Sequence, residues 1–175
     1  MIFDRLKPRA PAPRADAALY DAAVAQARSP ALYASMGAPD TVEGRFELLT
    51  LHVILLSDRL GDLGEAAAAT RQDMFDTYIR NLDGALREMG VGDLAVGKRM
   101  KTLGKVFYGR AAGFDRAFKA LPDRTELEGL IGRTILEGGE GDRGALADYI
   151  LAARDALART DGADLMAGRV TWPPT

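Results

Sequence analysis

From about residue 15 to residue 160, apolar side chains recur every three or four positions, and no stretch of five or more residues between turn signals alternates with period two. The pattern predicts an all-α fold. Ser29-Pro30 reads as a cap and first helical position, starting a short helix through Leu32 and Tyr33. Pro39-Asp40 opens a long helix, roughly Thr41 to Leu60, with Asp40 as cap and Glu43 completing a variant capping box. Its second half is apolar nearly all the way round, which predicts the most buried helix of the molecule.

The next helix runs from about Glu65 to Met89, with Met74, Phe75, Tyr78, Ile79, Leu82, Leu86 and Met89 on one face and Asp73, Asp76, Arg80, Asp83 and Arg87 on the other. Gly90 ends it, and Asp93 reads as the cap of the helix that follows. Beyond Pro122, Thr125 and Glu128 form a capping box, and Gly138, Gly139 and Gly141 close that segment. A last long helix carries Leu146, Tyr149, Ile150, Ala153 and Leu157. We therefore expect a single-domain bundle of about seven helices over residues 15–170, without internal repeats. Residues 1–14, with Pro8, Pro11 and Pro13 between basic side chains, read as a mobile arm. Residues 171–175 form a tail whose Trp172 docks on the domain.

Charge changes this picture at one place. The segment 93–119 holds four of the five lysines, Lys98, Lys101, Lys105 and Lys119, with Arg99, Arg110 and Arg116, against only Asp93 and Asp115. At about 100° per residue its lysines gather opposite a stripe of Met100, Leu103, Phe107, Ala111, Phe114 and Phe118. It is a basic amphipathic helix in a chain whose net charge is −2. Such a field suits something negative: a partner protein, a lipid head group or a phosphate backbone. The alternative is a solvated face over a packed stripe.

Chemistry is sparse. There are no cysteines, so thiol catalysis, disulfides and cysteine-held zinc are excluded. Gly92 to Arg99 matches G-x-x-x-x-G-K but has arginine where a P-loop needs serine or threonine, and a helix precedes it instead of a strand. The glycines suit a helix-helix turn better. His52, the only histidine, reads as a hydrogen-bonded core residue. Asp73 and Asp76 share a helix face, with Arg71 and Arg80 near enough to neutralise them. No nucleophile, base and oxyanion site assembles from these residues, so the sequence reads as a non-enzyme without cofactor or metal. The longest apolar run, Leu48 to Leu56, is far short of the roughly 20 residues a spanning helix needs, and no signal peptide opens the chain.

Two blocks, LYASMGAPDTVEGRFELLTLHVILLSDRL at 32–60 and LREMGVGDLAVGKRMKTLGKVFYGR at 86–110, give the chain a family resemblance. In order and spacing they resemble the ubiquinol-cytochrome c chaperone family, over roughly residues 18 to 160. The resemblance implies an all-helical chaperone that binds newly made cytochrome b and helps the ubiquinol-cytochrome c oxidoreductase assemble. Mitochondrial relatives work with a small partner protein and associate with the ribosome. The richness in alanine, glycine and arginine suggests a bacterial version, peripheral on the cytoplasmic face of the inner membrane.

On this reading the candidate contact residues for client or membrane are Lys98, Arg99, Lys101, Lys105, Tyr108 and Arg110, with the turn Gly90, Gly92 and Asp93 before them. An anionic membrane surface is a further expected partner; DNA is not. The alternative is an RNA- or ribosome-binding module using the same helix 93–119, whose mark is steep salt dependence. A third reading, a small enzyme acting on a diphosphate through Asp73, Asp76 and the lysines, ranks last.

Overall fold

The computed structural model describes residues 14–175, so the N-terminal arm, but for Arg14, lies outside the described residues. Eight helical segments and no strand occupy the described chain: α1 (Ala15–Ala27), α2 (Pro30–Ala34), α3 (Val42–Asp62), α4 (Glu65–Glu88), α5 (Asp93–Lys119), α6 (Thr125–Arg133), α7 (Arg143–Arg159) and α8 (Gly162–Met166). The all-α expectation holds. Helix α8, a five-residue turn of helix, is the element that the apolar spacing did not announce.

Helix α3 is the axis of the bundle, because its residues 50–57 are buried on every side. Helices α1, α4 and α7 pack around it, α5 crosses it more briefly, and α6 bridges α5 to α7. Its start is fixed differently from the sequence reading. Thr41 is the cap, its hydroxyl accepting from Gly44 N at 3.0 Å, while Asp40 pairs outward with Arg45 at 2.6 Å. A one-residue shift of the cap explains the difference, since the short Thr41 side chain sits closer to the free N–H groups of the first turn.

Two other caps also moved. Gly92, not Asp93, is the N-cap of α5, and Asp93 lies in the first turn, where it pairs with Arg87 of α4. Arg124 precedes α6, and Asp123 accepts from Thr125 N at 2.9 Å in place of a Thr125–Glu128 box. In both cases a nearby carboxylate found a partner outside the predicted motif. Gly90 does end α4, with φ +82°, a conformation that costs glycine little.

The sole histidine is built into the core as expected. His52 is fully buried, its Nδ1 donating to Leu48 O at 2.7 Å and its Nε2 accepting from the Tyr149 hydroxyl at 2.6 Å. Gln26 Nε2 in turn donates to that hydroxyl at 3.0 Å, joining α1, α3 and α7 through one polar chain. Burial lowers the His52 pKa to about 4, against a smaller opposing effect of the Leu48 carbonyl. The tail closes over this spot: Trp172 meets the His52 ring edge-on at 5.0 Å, and Thr175 hydrogen-bonds Ser29. At the far end of α3, Arg59 donates to Leu157 O at 2.9 Å and Thr160 O at 3.1 Å, satisfying carbonyls at the end of α7.

Candidate functional site

Helices α4 and α5 form a long hairpin whose root belongs to the core and whose distal half stands away from it. At the root Met74 and Tyr78 of α4 and Phe107 and Phe114 of α5 are buried. Between Ile79 and Val106, only Val96 reaches full burial. Leu82, Leu86, Met100 and Leu103 are half-buried, and Met89, placed by periodicity on the packed face of α4, is exposed to 59% of its surface. Two helices facing each other with no third described element over them cannot cover both apolar faces.

The predicted site residues divide into four groups. Lys98, Arg99, Lys101 and Lys105 are exposed on the distal part of α5, and no carboxylate occurs from residue 94 through 114. Lys98, Lys101 and Lys105 make no ion pair among the described residues, in contrast to Lys119, which Asp115 holds at 2.8 Å. Tyr108 is 64% exposed, its ring set against Phe75 at 5.9 Å and Phe107 at 5.6 Å. Arg110 points the other way: Nε donates to Glu47 Oε2 at 2.9 Å and Nη2 to Oε1 at 2.7 Å. The Glu47 hydrogen bond raises the Arg110 pKa further above its already high value, so this cation is permanent and committed to α3. Gly90, Gly92 and Asp93 shape the hairpin tip.

Behind Tyr108 the structure shows a groove that sequence reasoning missed. It has a volume of about 540 Å³ between α3, α4 and α5, with Ile54, Ala68, Phe75, Phe107, Tyr108 and Ala111 on its apolar walls. A second groove of about 630 Å³ continues it between α3, α5 and α7, and the two share Asp58, Gly61 and Arg71. The continuation is more polar, lined by Arg59, Asp115 and Arg154, with Arg154 lying 4.6 Å over the Phe118 ring. Desolvation raises the Asp58 pKa; Arg71 opposes this, and the Asp115 and Asp62 carboxylates add to it. Phe75 was the one available signal, an aromatic within the α4 stripe that is only half-buried in the fold.

Asp73 and Asp76 do not form a site. Arg14 holds Asp73 at 2.8 Å and Gln72 donates to Asp76 at 2.8 Å. The expected neutralisers are engaged elsewhere, Arg80 with Thr77 at 2.8 Å and Arg71 over Gly61 in the groove. Among the described residues, no group of acidic or histidine side chains is arranged to hold a metal ion.

The site is thus a largely apolar groove with an aromatic rim, beside a cationic, partly unpacked helical arm. The crystal structure of the Cbp3 homolog from Brucella abortus superposes with a TM-score of 0.82 at 34% identity, covering 91% of this chain and 89% of that one. No curated protein matches significantly. The family model described as ubiquinol-cytochrome C chaperone matches residues 34–172, which takes in α3, the groove and the whole hairpin. The chain belongs to the ubiquinol-cytochrome c chaperone family.

Proposed function

We propose that this protein is a non-catalytic assembly chaperone that holds newly made cytochrome b and promotes assembly of the ubiquinol-cytochrome c oxidoreductase at the cytoplasmic face of a bacterial inner membrane. Family membership supports the chaperone role. The observation that carries the client reading is the apolar groove walled by Phe75, Phe107 and Tyr108 and open along the side of the bundle. A membrane-protein client offers apolar helices before its own partners arrive, and such a groove can cover part of one helix face. The groove's second half, with Arg59, Arg71 and Arg154 beside Asp58 and Asp115, can receive the polar loop residues that flank a spanning segment.

The reading leaves catalysis aside, and His52 fits that: both ring nitrogens are occupied in the core. The competing reading, an RNA- or ribosome-binding module, draws on the three lysines of α5 that make no ion pair among the described residues, and its mark is RNA capture that fades steeply with salt.

A tagged pull-down from the native membrane fraction separates them. Ala68 is exposed and lines the groove, so Ala68→Trp fills it without touching the core. Wild type is expected to recover cytochrome b, and Ala68→Trp, once circular dichroism shows it folded, to recover little. Equal recovery by both proteins would remove the groove from the account. Recovery of RNA and ribosomal proteins without cytochrome b would overturn the client itself.

A further inference from the structure

Five large apolar side chains are markedly exposed among the described residues, and three of them, Met89, Leu94 and Tyr108, lie on the α4–α5 hairpin. Leu94 is fully exposed in the first turn of α5. It heads a line of side chains at successive spacings of four, three, four and three: Leu94, Lys98, Lys101, Lys105 and Tyr108. Those are the spacings of one helix face, and the line is about 21 Å long at 1.5 Å per residue. Every one of the five is solvent-exposed. This outer face is distinct from the buried one that Phe107 and Phe114 present to the core.

From the stripe's composition we infer that it rests on an anionic lipid bilayer, with Leu94 and Met89 at the hairpin tip entering the acyl boundary and Tyr108 at the level of the head groups. An aliphatic tip, an amphipathic aromatic at the opposite end and lysines between them are what an interfacial helix needs. Lysine stems lie along apolar surface while their ammonium groups reach phosphates, and tyrosine favours the head-group level. Among the described residues the three lysines make no ion pair, unlike Lys119, and residues 94–114 contain no carboxylate to repel the surface. Charge complementarity excludes a second copy of the same stripe as occupant. RNA would use the lysines but gains nothing from Leu94 and Met89 standing in water. No helix of the described residues is long and apolar enough to cross a membrane, so contact through this face would be peripheral. The assignment does not depend on which client the groove accepts.

The chain has no cysteine, so Leu94→Cys supplies one site for an environment-sensitive dye, and Glu126→Cys, at an exposed position of α6, supplies a control. Purified protein is mixed with vesicles of phosphatidylcholine alone or with added phosphatidylglycerol. The dye at 94 is expected to shift to the blue only with phosphatidylglycerol, and the dye at 126 to stay unchanged. With each lysine near the surface contributing on the order of 1 kcal/mol, Lys98→Gln with Lys101→Gln is expected to lower partitioning about 30-fold. Met89→Ser with the native Leu94 should weaken it further without altering its salt dependence. Absence of vesicle binding, binding indifferent to the two lysines, or an unshifted dye at 94 on bound protein would each overturn the proposal, as would RNA binding in the absence of any affinity for vesicles. Because no client is present, failure here leaves the groove reading to be decided by the pull-down.

Discussion

Arg110 of α5 grips Glu47 of α3 through two parallel hydrogen bonds of 2.9 and 2.7 Å, and this fork fixes the root of the hairpin to the central helix. Glu47 is buried and Arg110 half-buried, so each partner screens the other from an uncompensated position inside the protein. Arg110→Ala is expected to cost about 2 to 3 kcal/mol by chemical denaturation, below the range for a fully enclosed pair because Arg110 keeps some solvent. Arg110→Lys should recover only part of this, because an ammonium cannot reproduce the fork. Equal stability of the lysine variant and wild type would show that charge alone matters here.

Stability should depend on pH through His52. The folded ring has its pKa near 4, whereas the unfolded one titrates near 6.5. The stabilisation is therefore complete above about pH 6.5, declines as pH falls, and is lost by about pH 4, amounting to about 3 kcal/mol over that window. Urea midpoints of wild type and His52→Gln between pH 7 and pH 4.5 test this, with the wild type expected to lose stability faster. Parallel curves would contradict it.

The block that opens α3 owes its pattern to packing. A Cβ on Gly44 would lie 2.1 Å from the Pro39 carbonyl oxygen, a backbone atom that cannot swing aside. Gly44→Ala is expected to destabilise by roughly 2 kcal/mol or more, as other overpacked sites do. Thr41→Ala, which removes the cap to Gly44 N, should cost about 1 kcal/mol. Thermal denaturation of the two single variants reads the ranking, and a harmless Gly44→Ala would refute the close approach.

Trp172 offers a separate test of how the tail is held. Its ring packs on His52, and its Nε1 is buried without a hydrogen-bond partner among the described residues. Trp172→Phe keeps the apolar contact and drops the unpaired donor, so it should be close to neutral, while Trp172→Ala should cost about 2 kcal/mol or more. A large loss in the phenylalanine variant would mean that the indole nitrogen has a partner, such as a bound water.

The helices were legible because apolar spacing is a local signal. The run Leu48 to Leu56 announced the central helix, and the His52 neighbours announced its burial. Caps were less legible: Thr41, Gly92 and Arg124 hold the cap positions, each one residue from the expected one, since several adjacent residues could serve and side-chain partners such as Arg45 and Arg87 draw the Asp40 and Asp93 carboxylates aside. Arg110 looked like part of the cationic face because helical phase alone does not reveal that Glu47 waits on α3. The groove was invisible for the same reason. Ile54, Ala68 and Phe107 come from three helices, and nothing in one helix's pattern says that a gap remains between them. Periodicity also placed Met89 inside, because it cannot tell a helix end that runs past its partners from one that does not.

The central claim, that the groove of this chaperone-family protein receives newly made cytochrome b, is tested most directly by a photo-activated crosslinker placed at Tyr108, on the groove wall, in living cells and triggered during synthesis of the complex. The account predicts a crosslink to cytochrome b that disappears in the Ala68→Trp background, while a crosslinker at Glu126 on α6 yields none. Crosslinks at Tyr108 only to RNA or ribosomal proteins, or the same cytochrome b product whether or not the groove is filled, would contradict it.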